Sequence, residues 1–485
     1  MTESPTPCGW IGVALRTSRE YCGSVRDRMP PILTRILRES PELSRAYLVG
    51  GCVRDACLGV TVKDFDIEVY GISYERLMAV LSKWGRTDFV GQSFGVVKLA
   101  VAGGLTFDFS VPRRDSKIAP GHRGFVVEMD PSLTPPAAAA RRDFTINSLL
   151  YDPREDRILD FFGGQDDLQN RLLRHTSSAF IEDPLRVLRG MQFAGRFNLK
   201  PVPATVELCR TMKPFYGELA VERVREEWFK WAAQSIRPSA GLAFLAATHW
   251  IDHFPALHGM IGVPQDPDWH PEGDVWVHTL HVLDALVDLP AWQAAAPSDR
   301  IVLSFAALLH DVGKASTTLE QIRDGRPRVV SPGHETAAAP LAEAFLSGIG
   351  SFPAVTSRVL PLVANHMAHL EEPTARAIRR LARRLSPATV LELATVMIAD
   401  AAGRPPRPVK TPLSVLAILE KADELAVESR APNPILLGRH LIAAGLVPGP
   451  EFTPILADAF EAQLDGRFSD AVGASEWLRE RLGAP

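Results

Sequence analysis

Two aspartates set two residues apart, Asp64 and Asp66, follow a glycine pair in the stretch LVGGCVRDACLGVTVKDFDIEV, which runs from Leu48 to Val69. On a strand, side chains at i and i+2 share a face, so Asp64, Asp66 and Glu68 line one side while Phe65, Ile67 and Val69 take the other. Carboxylates held that close repel, and a divalent cation relieves the repulsion; hard Mg²⁺ suits carboxylate and phosphate oxygen. The Gly50-Gly51 turn lets backbone N–H groups approach a phosphate. The chemistry these parts could perform is metal-dependent nucleotidyl transfer. An Asp-x-Asp alone, however, is also the ordinary solvated face of an edge strand.

The elements that must position these groups can be read around them. Tyr47 to Val49 is a strand signal, and a short helical segment with Arg54 and Asp55 ends at Gly59. FGVVKLAV (Phe94 to Val101) and LTFDFSV (Leu105 to Val111) read as neighbouring strands turned by Gly103-Gly104, and Asp108 offers a third carboxylate to the Asp64/Asp66 face. Arg113 to Gly124 (RRDSKIAPGHRG) reads as a basic loop. In RRDFTINSLLYD, Arg142 offers a fixed charge for a triphosphate, with Asp143 and Asn147 as hydrogen-bonding groups for a ribose. Asp183 before Pro184 is an N-cap signal with proline at the first helical position, and Arg186 and Arg189 share a face of the helix that follows. A carboxylate beside a guanidinium can read the amino donor and ring-nitrogen acceptor common to cytosine and adenine; guanine and uracil present the reverse. The plain alternative is a capping aspartate in a surface ion pair.

The second half carries different chemistry. His278, His310-Asp311, His334, His366 and Asp400 lie in separate segments, and imidazole with carboxylate can converge on a divalent metal. His281 and His369 read as bystanders. Arg376, Arg379, Arg380, Arg383 and Arg384 recur at helical spacing and read as a solvated face, with an RNA contact as the lesser alternative.

With 485 residues, the chain should hold two to four domains. Its 46% hydrophobic and 23% charged content is that of a globular protein, and a net charge of −4 excludes a uniformly basic nucleic-acid binder, so an RNA surface must be a local patch. Cys8, Cys22, Cys52, Cys57 and Cys209 form no paired framework, which points to a reducing, cytoplasmic setting. No apolar run of membrane-spanning length is present, so no membrane partner is expected. Met29 opens a better amphipathic segment than the proline-broken residues before it and is a candidate start.

LVGGCVRDACLGVTVKDFDIEV, RRDFTINSL, DFFGGQDDL and EDPLRVLRGMQFAGRF stand in the order and spacing of the bacterial class II tRNA nucleotidyltransferases, the CCA-adding enzymes, which this chain resembles. The resemblance departs at Ser148, where alanine is usual, and the N-terminal extension has no counterpart. It implies catalytic Mg²⁺ ligation by Asp64 and Asp66, nucleotide contacts from Gly51, Arg54, Arg142, Arg186 and Arg189, and base reading by Asp183 and Arg186. The later histidines resemble an HD phosphohydrolase domain. There His278, His310, Asp311 and Asp400 would bind one ion, Mg²⁺ or a divalent transition metal, with His334 and His366 as candidates to assist a second.

The implied activities are CCA addition to tRNA from CTP and ATP, and phosphatase or 2′,3′-cyclic phosphodiesterase action on RNA ends. A CC-adding or A-adding half enzyme, a poly(A) polymerase, or an RNA-binding hydrolase with a silent head stay open as alternatives. The implied fold is α+β. It comprises a peripheral extension (1–44), a polymerase-beta-like nucleotidyltransferase head (45–165), a helical neck and body for nucleotide selection and tRNA binding (166–265), an HD domain (266–405) and a helical tail (406–485).

Overall fold

The computed structural model describes residues 25–90, 95–117, 125–323, 325–368 and 373–483. They fall into two compact units, one formed by Met1–Ala220 with Ala247–His249 and the other by Val221–Ala246 with Trp250–Pro485. His369 and residues 118–124 of the expected basic loop lie outside the described residues.

The first unit is built on a mixed sheet of seven strands: β1 (Ala46–Val49), β2 (Asp66–Val69), β3 (Arg86–Val90), β4 (Val96–Ala100), β5 (Thr106–Ser110), and two further strands defined below. β6 (Arg113–Lys117) and β7 (Phe125–Met129) form a separate antiparallel ribbon, and β8 (Leu150–Asp152) and β9 (Arg157–Leu159) complete the main sheet. Its order is β3-β4-β5-β2-β1-β8-β9, and β2 and β5 run parallel. Alternation does the sorting expected of it: Phe65, Ile67 and Val69 are buried while Asp64 and Asp66 stay exposed. β2 begins only at Asp66, so Asp64 sits just ahead of the strand.

Two expectations are corrected here. Arg113–Lys117 is a strand and not part of a loop, because its backbone pairs with a partner beyond the polar segment that follows it. The stretch expected to be peripheral includes α1 (Pro31–Glu39), whose Leu33 and Ile36 are fully buried and whose Leu37 carbonyl accepts from Arg154 Nη2 at 2.6 Å. After the sheet, α3 (Leu185–Phe197) buries Val187, Leu188, Met191 and Ala194, while α2 (Gly51–Cys57) follows the glycine turn.

The second unit is helical. α4 (Val221–Gln234) carries Trp228, which meets Trp231, Phe254 and Phe345 edge to face at 5.0–5.4 Å between ring centroids. Around it are α5 (Val275–Asp288), α6 (Pro297–Leu309), α7 (His334–Gly348), α8 (Pro353–Asn365), α9 (Ala375–Leu385) and α10 (Val390–Ala402). α10 opens with a capping box in which Thr389 and Glu392 exchange side-chain and backbone bonds. α9 buries Ile378, Leu381, Ala382 and Leu385 at helical spacing. Its arginine face is not simply solvated: Arg376, Arg380 and Arg383 pair with Glu461 and Asp465 at the end of α11 (Phe452–Leu464). Those acids lie some 80 residues downstream, too far for helical spacing to show them. Among the described residues no single helix is long and apolar enough to cross a membrane.

Candidate active sites

In the first unit the β2–β5 register sets Asp66 directly opposite Asp108, with Asp64 two residues before Asp66. Lys98, across from Asp108 on β4, reaches its Oδ1 at 3.2 Å. Loss of solvent raises the Asp66 pKa, the Asp108 and Asp64 charges add to that, and Arg142 opposes it. Among the described residues, three groups of at least three ligating side chains have their donor atoms within 4.8 Å of one another, and the three aspartates do not form one of them. They share a face without closing on a point.

The glycine turn is held by conformation and by space. Gly50 has φ +70°, and a Cβ there would come within 2.7 Å of Arg142 Nη1. The turn thus keeps the Arg142 guanidinium against the backbone, with Glu68 Oε2 3.9 Å from its Nη2. Gly51 opens α2 beside it. Arg54, expected as a nucleotide contact, is only 4% exposed. Its guanidinium bonds Asp55 Oδ1 at 2.6 and 2.8 Å, donates to Asn147 Oδ1, and lies over the rings of Phe193 and Phe197 at 5.2 and 4.6 Å. Asn147 Nδ2 donates to Asp143 Oδ1 at 2.8 Å, and Asp143 Oδ2 accepts from Arg189 at 2.7 Å. Burial alone would raise the Asp143 pKa; the Arg189 charge and these hydrogen bonds outweigh it and hold it low. Asp143 and Asn147, read from sequence as ribose partners, are therefore engaged within the protein, and they tie Arg54 to Arg189.

Asp183 lies one residue farther from the helix than expected: α3 starts at Leu185, flanked by Pro184, and Asp183 Oδ1 accepts the Leu185 N–H at 3.1 Å. Arg186 does not spend itself on a surface pair. It donates to the carbonyls of Ala179 and Arg141, each at 2.7 Å. Burial lowers its pKa, opposed by the charges of Asp143 and Asp183.

In the second unit the separated histidines converge. His278 stands on α5, His310 and Asp311 just beyond α6, His334 at the first position of α7, His366 just beyond α8, and Asp400 in the last turn of α10. His310, His334 and His366 each donate Nδ1–H to the carbonyl three residues earlier, at 2.7–2.8 Å. That bond fixes the tautomer and leaves each Nε2 as a donor atom facing Asp311, at 3.2, 3.3 and 3.7 Å. His278 Nε2 is 3.0 Å from Asp400 Oδ1, and its Nδ1 is 2.7 Å from Glu272 Oε1. Two ligand groups result, His278/His310/Asp400 and Asp311/His334/His366, all buried.

The charges are arranged to match. Burial would raise Asp311 and Asp400, but the imidazoles with Lys314 and Arg404 hold both well below the carboxylate range. Burial, reinforced by His310, pushes His366 down to about 3. For His278 burial is overcome by its bonds to Asp400 and Glu272, which raise it to about 9. Gly313 explains the spacing of HDVGK: a Cβ there would fall 2.1 Å from the His334 carbonyl oxygen, so only glycine lets α7 begin this close to Asp311.

Sequence reading missed Glu272, Lys314 and Arg404. Glu272 has no exposed side-chain surface and takes both His270 and His278 through one oxygen. Lys314 Nζ lies 2.7 Å from Asp311 Oδ2, and Arg404 Nη2 lies 2.7 Å from Asp400 Oδ1. The available signal was position: Glu272 stands between Pro271 and Gly273, just before the helix that carries His278.

Both regions are similar to known domain families. Residues 46–174 match the poly A polymerase head domain family and residues 275–404 the HD domain family. A Multifunctional CCA protein of Xanthomonas campestris pv. campestris is 40% identical over 286 residues. The aligned stretch is 57% of this chain and 65% of that relative's length. The Bacillus stearothermophilus CCA-adding enzyme, solved in complex with CTP, superposes with a TM-score of 0.62 at 21% identity, covering 94% of this chain and 98% of that one. The Thermotoga maritima CCA-adding enzyme, solved with tRNA, gives 0.58 at 18% identity, covering 95% and 98%. The chain thus holds one region similar to the poly A polymerase head domain family and a later one similar to the HD domain family, on the fold of the CCA-adding enzymes.

Proposed function

We propose that the chain is a tRNA nucleotidyltransferase that completes the 3′ CCA end from CTP and ATP, and that its HD site hydrolyses phosphate esters at RNA ends. The observation that supports the first part is the β2–β5 register, which sets Asp66 opposite Asp108 two residues after Asp64, while Arg142 lies against the Gly50 turn. In this reading the tRNA 3′-hydroxyl attacks the α-phosphate in line and pyrophosphate leaves. Loss of solvent, with the Asp108 and Asp64 charges added, lifts Asp66, which fits a cation site; Mg²⁺ on Asp64 and Asp66, with Asp108 as a third ligand, would acidify the attacking hydroxyl and bind the triphosphate. Arg142 steadies the triphosphate charge. Asp183 and Arg186 read the base; two N–H groups of Arg186 are held by carbonyls, which aims the guanidinium and leaves further N–H groups for cytosine or adenine.

The HD site fits a divalent ion as well, because His310 Nε2 is buried without a hydrogen-bond partner and the imidazole and carboxylate donor atoms form two buried ligand groups. Its imidazole-rich donor set suits a transition ion over Mg²⁺. A bound ion there would supply a nucleophilic hydroxide at neutral pH. His278, His310 and Asp400 would hold one ion and His334 with His366 a second, with Asp311 grouped with the latter pair and also facing His310, while Lys314 and Arg404 supply cationic charge beside the phosphate.

The test supplies Mg²⁺ with tRNAs ending before CCA, after C or after CC, gives CTP and ATP separately and together, and sequences the 3′ ends. Addition of C, C and A in order is expected; addition of only CC or only A would sink the full assignment. For the second site, release of phosphate from RNA 3′ ends is expected from the intact protein and not from Asp311→Ala.

A further inference from the structure

Glu68 follows Asp64 and Asp66 along the acid face, but its carboxylate is turned to other partners. Its Oε2 accepts the Tyr70 hydroxyl and faces Arg142 Nη2 at 3.9 Å. An oxygen that already takes a hydroxyl proton and faces a guanidinium is poorly placed to meet a cation as well. Among the described residues Glu68 belongs to none of the groups that could hold a metal.

Tyr70 is firmly anchored. It is 2% exposed, shares a core cluster with Val49, Ala138, Ala139 and Leu150, and meets Tyr47 edge to face at 5.6 Å between ring centroids. Ala138 and Ala139 end the short helix Pro135–Ala139, and the Ala139 carbonyl accepts the backbone N–H of Arg142 at 3.1 Å. One packed cluster thus fixes both the tyrosine and the stretch of chain that leads into Arg142. Burial first, and the Glu68 charge second, push the Tyr70 hydroxyl far above its ordinary range, so it stays a donor.

The gap between Glu68 and Arg142 is the informative distance. At 3.9 Å the charges attract, but no N–H···O bond is made. Arg54 and Arg189, by contrast, bond Asp55 and Asp143 at 2.6–2.8 Å and are spent on them. We infer that Glu68 and Tyr70 are positioning residues for Arg142: the carboxylate, its oxygen occupied by the tyrosine hydroxyl, holds the guanidinium at the Gly50 turn by charge and leaves its N–H groups to the triphosphate of the incoming nucleotide. The inference rests on the transferase reading, in which Arg142 meets the triphosphate. A donor set in place beforehand binds phosphate more tightly than one that must first be ordered.

Charge and position predict opposite signs. Removing an acid near a triphosphate tightens anion binding if only its charge matters, whereas removing a group that places Arg142 weakens it. Equilibrium dialysis of CTP and of ATP against the full-length protein with Mg²⁺ separates the two. Glu68→Gln should bind each nucleotide about tenfold less tightly, and in an Arg142→Ala background the same change should cost nothing further. Unchanged or tighter binding by Glu68→Gln overturns the inference. So does an equal loss when Arg142 is already gone, which is what a merely structural glutamate would give. Tyr70→Phe keeps the ring and the Glu68 charge but frees the oxygen to close on Arg142, so it should also weaken both nucleotides. It decides the matter if Glu68→Gln does not fold, and binding equal to that of the intact protein then overturns the inference. If Arg142→Ala alone binds both nucleotides as tightly as the intact protein, the assignment of Arg142 to the triphosphate is what fails, and the inference falls with it.

Discussion

The two candidate sites hold acids for opposite ends. In the head, Asp64 and Asp66 are exposed, and with Asp108 they share a sheet face without closing to ligand distance. In the HD site every proposed ligand is buried, and within each of the two ligand groups the donor atoms already lie within 4.8 Å of one another. The difference teaches what each site leaves to its substrate. Open carboxylates can be completed by a triphosphate and a macromolecular 3′ end that arrive together. A buried imidazole cluster whose tautomers are fixed by backbone carbonyls needs only its ion to be complete.

The sharpest way to break this comparison is to disable each site alone. Asp64→Ala should lower nucleotide addition by roughly a thousandfold while phosphate release from RNA ends continues, and Asp311→Ala should do the reverse. Assaying both activities on the same preparations checks this, and loss of both in either variant would mean that the sites are not independent.

Glu272→Gln is expected to cost about 10- to 100-fold in HD metal affinity or hydrolysis, because it removes the charge that orients His278 and fixes its proton. Nucleotide addition should not follow it. Chelator competition measures the affinity, and an unchanged value would make Glu272 a packing residue.

A smaller effect separates the sites by pH. His278 is raised to about 9 without metal, so below that pH an ion must displace its proton, and metal affinity of the HD site should climb with pH by up to about tenfold per unit until about 9. The depressed carboxyls of Asp311 and Asp400 add no such step in that range. In the head the raised pKa of Asp66 places its loss of charge on the acid side, so nucleotide addition should fall as pH drops while the HD carboxyls remain ionised. Metal titrations and pH–rate profiles test the two slopes.

The smallest expected effect is at the tail. Glu461→Ala breaks half-exposed pairs with Arg380 and Arg383 and should cost less than about 1 kcal/mol, with neither activity altered. Urea unfolding checks the first part and the two assays the second.

What could be read from the sequence was whatever is local. Alternation in KDFDIEV put the aspartates on one face, and the histidines of the HD site stood out because imidazole and carboxylate recur in separate segments. What escaped was fixed by contacts between distant residues. Arg54 was expected at the nucleotide only through the family resemblance, and Asn147 and two phenylalanines of α3 enclose it, contacts that no local pattern shows. The arginine face of α9 looked solvated because its acidic partners come from α11. Arg113–Lys117 looked like a loop because a two-stranded ribbon need not bury a face, and so shows no apolar period.

The run of bonds from Arg54 through Asn147 and Asp143 to Arg189 joins the glycine turn to the arginine face of α3. A templated polymerase measures each incoming nucleotide against a partner strand. Here a span of buried side chains would serve as the gauge, holding the place for the phosphates at a set distance from the place for the base. Loosening any one bond in that span should blur which nucleotide is accepted before it slows how fast one is joined.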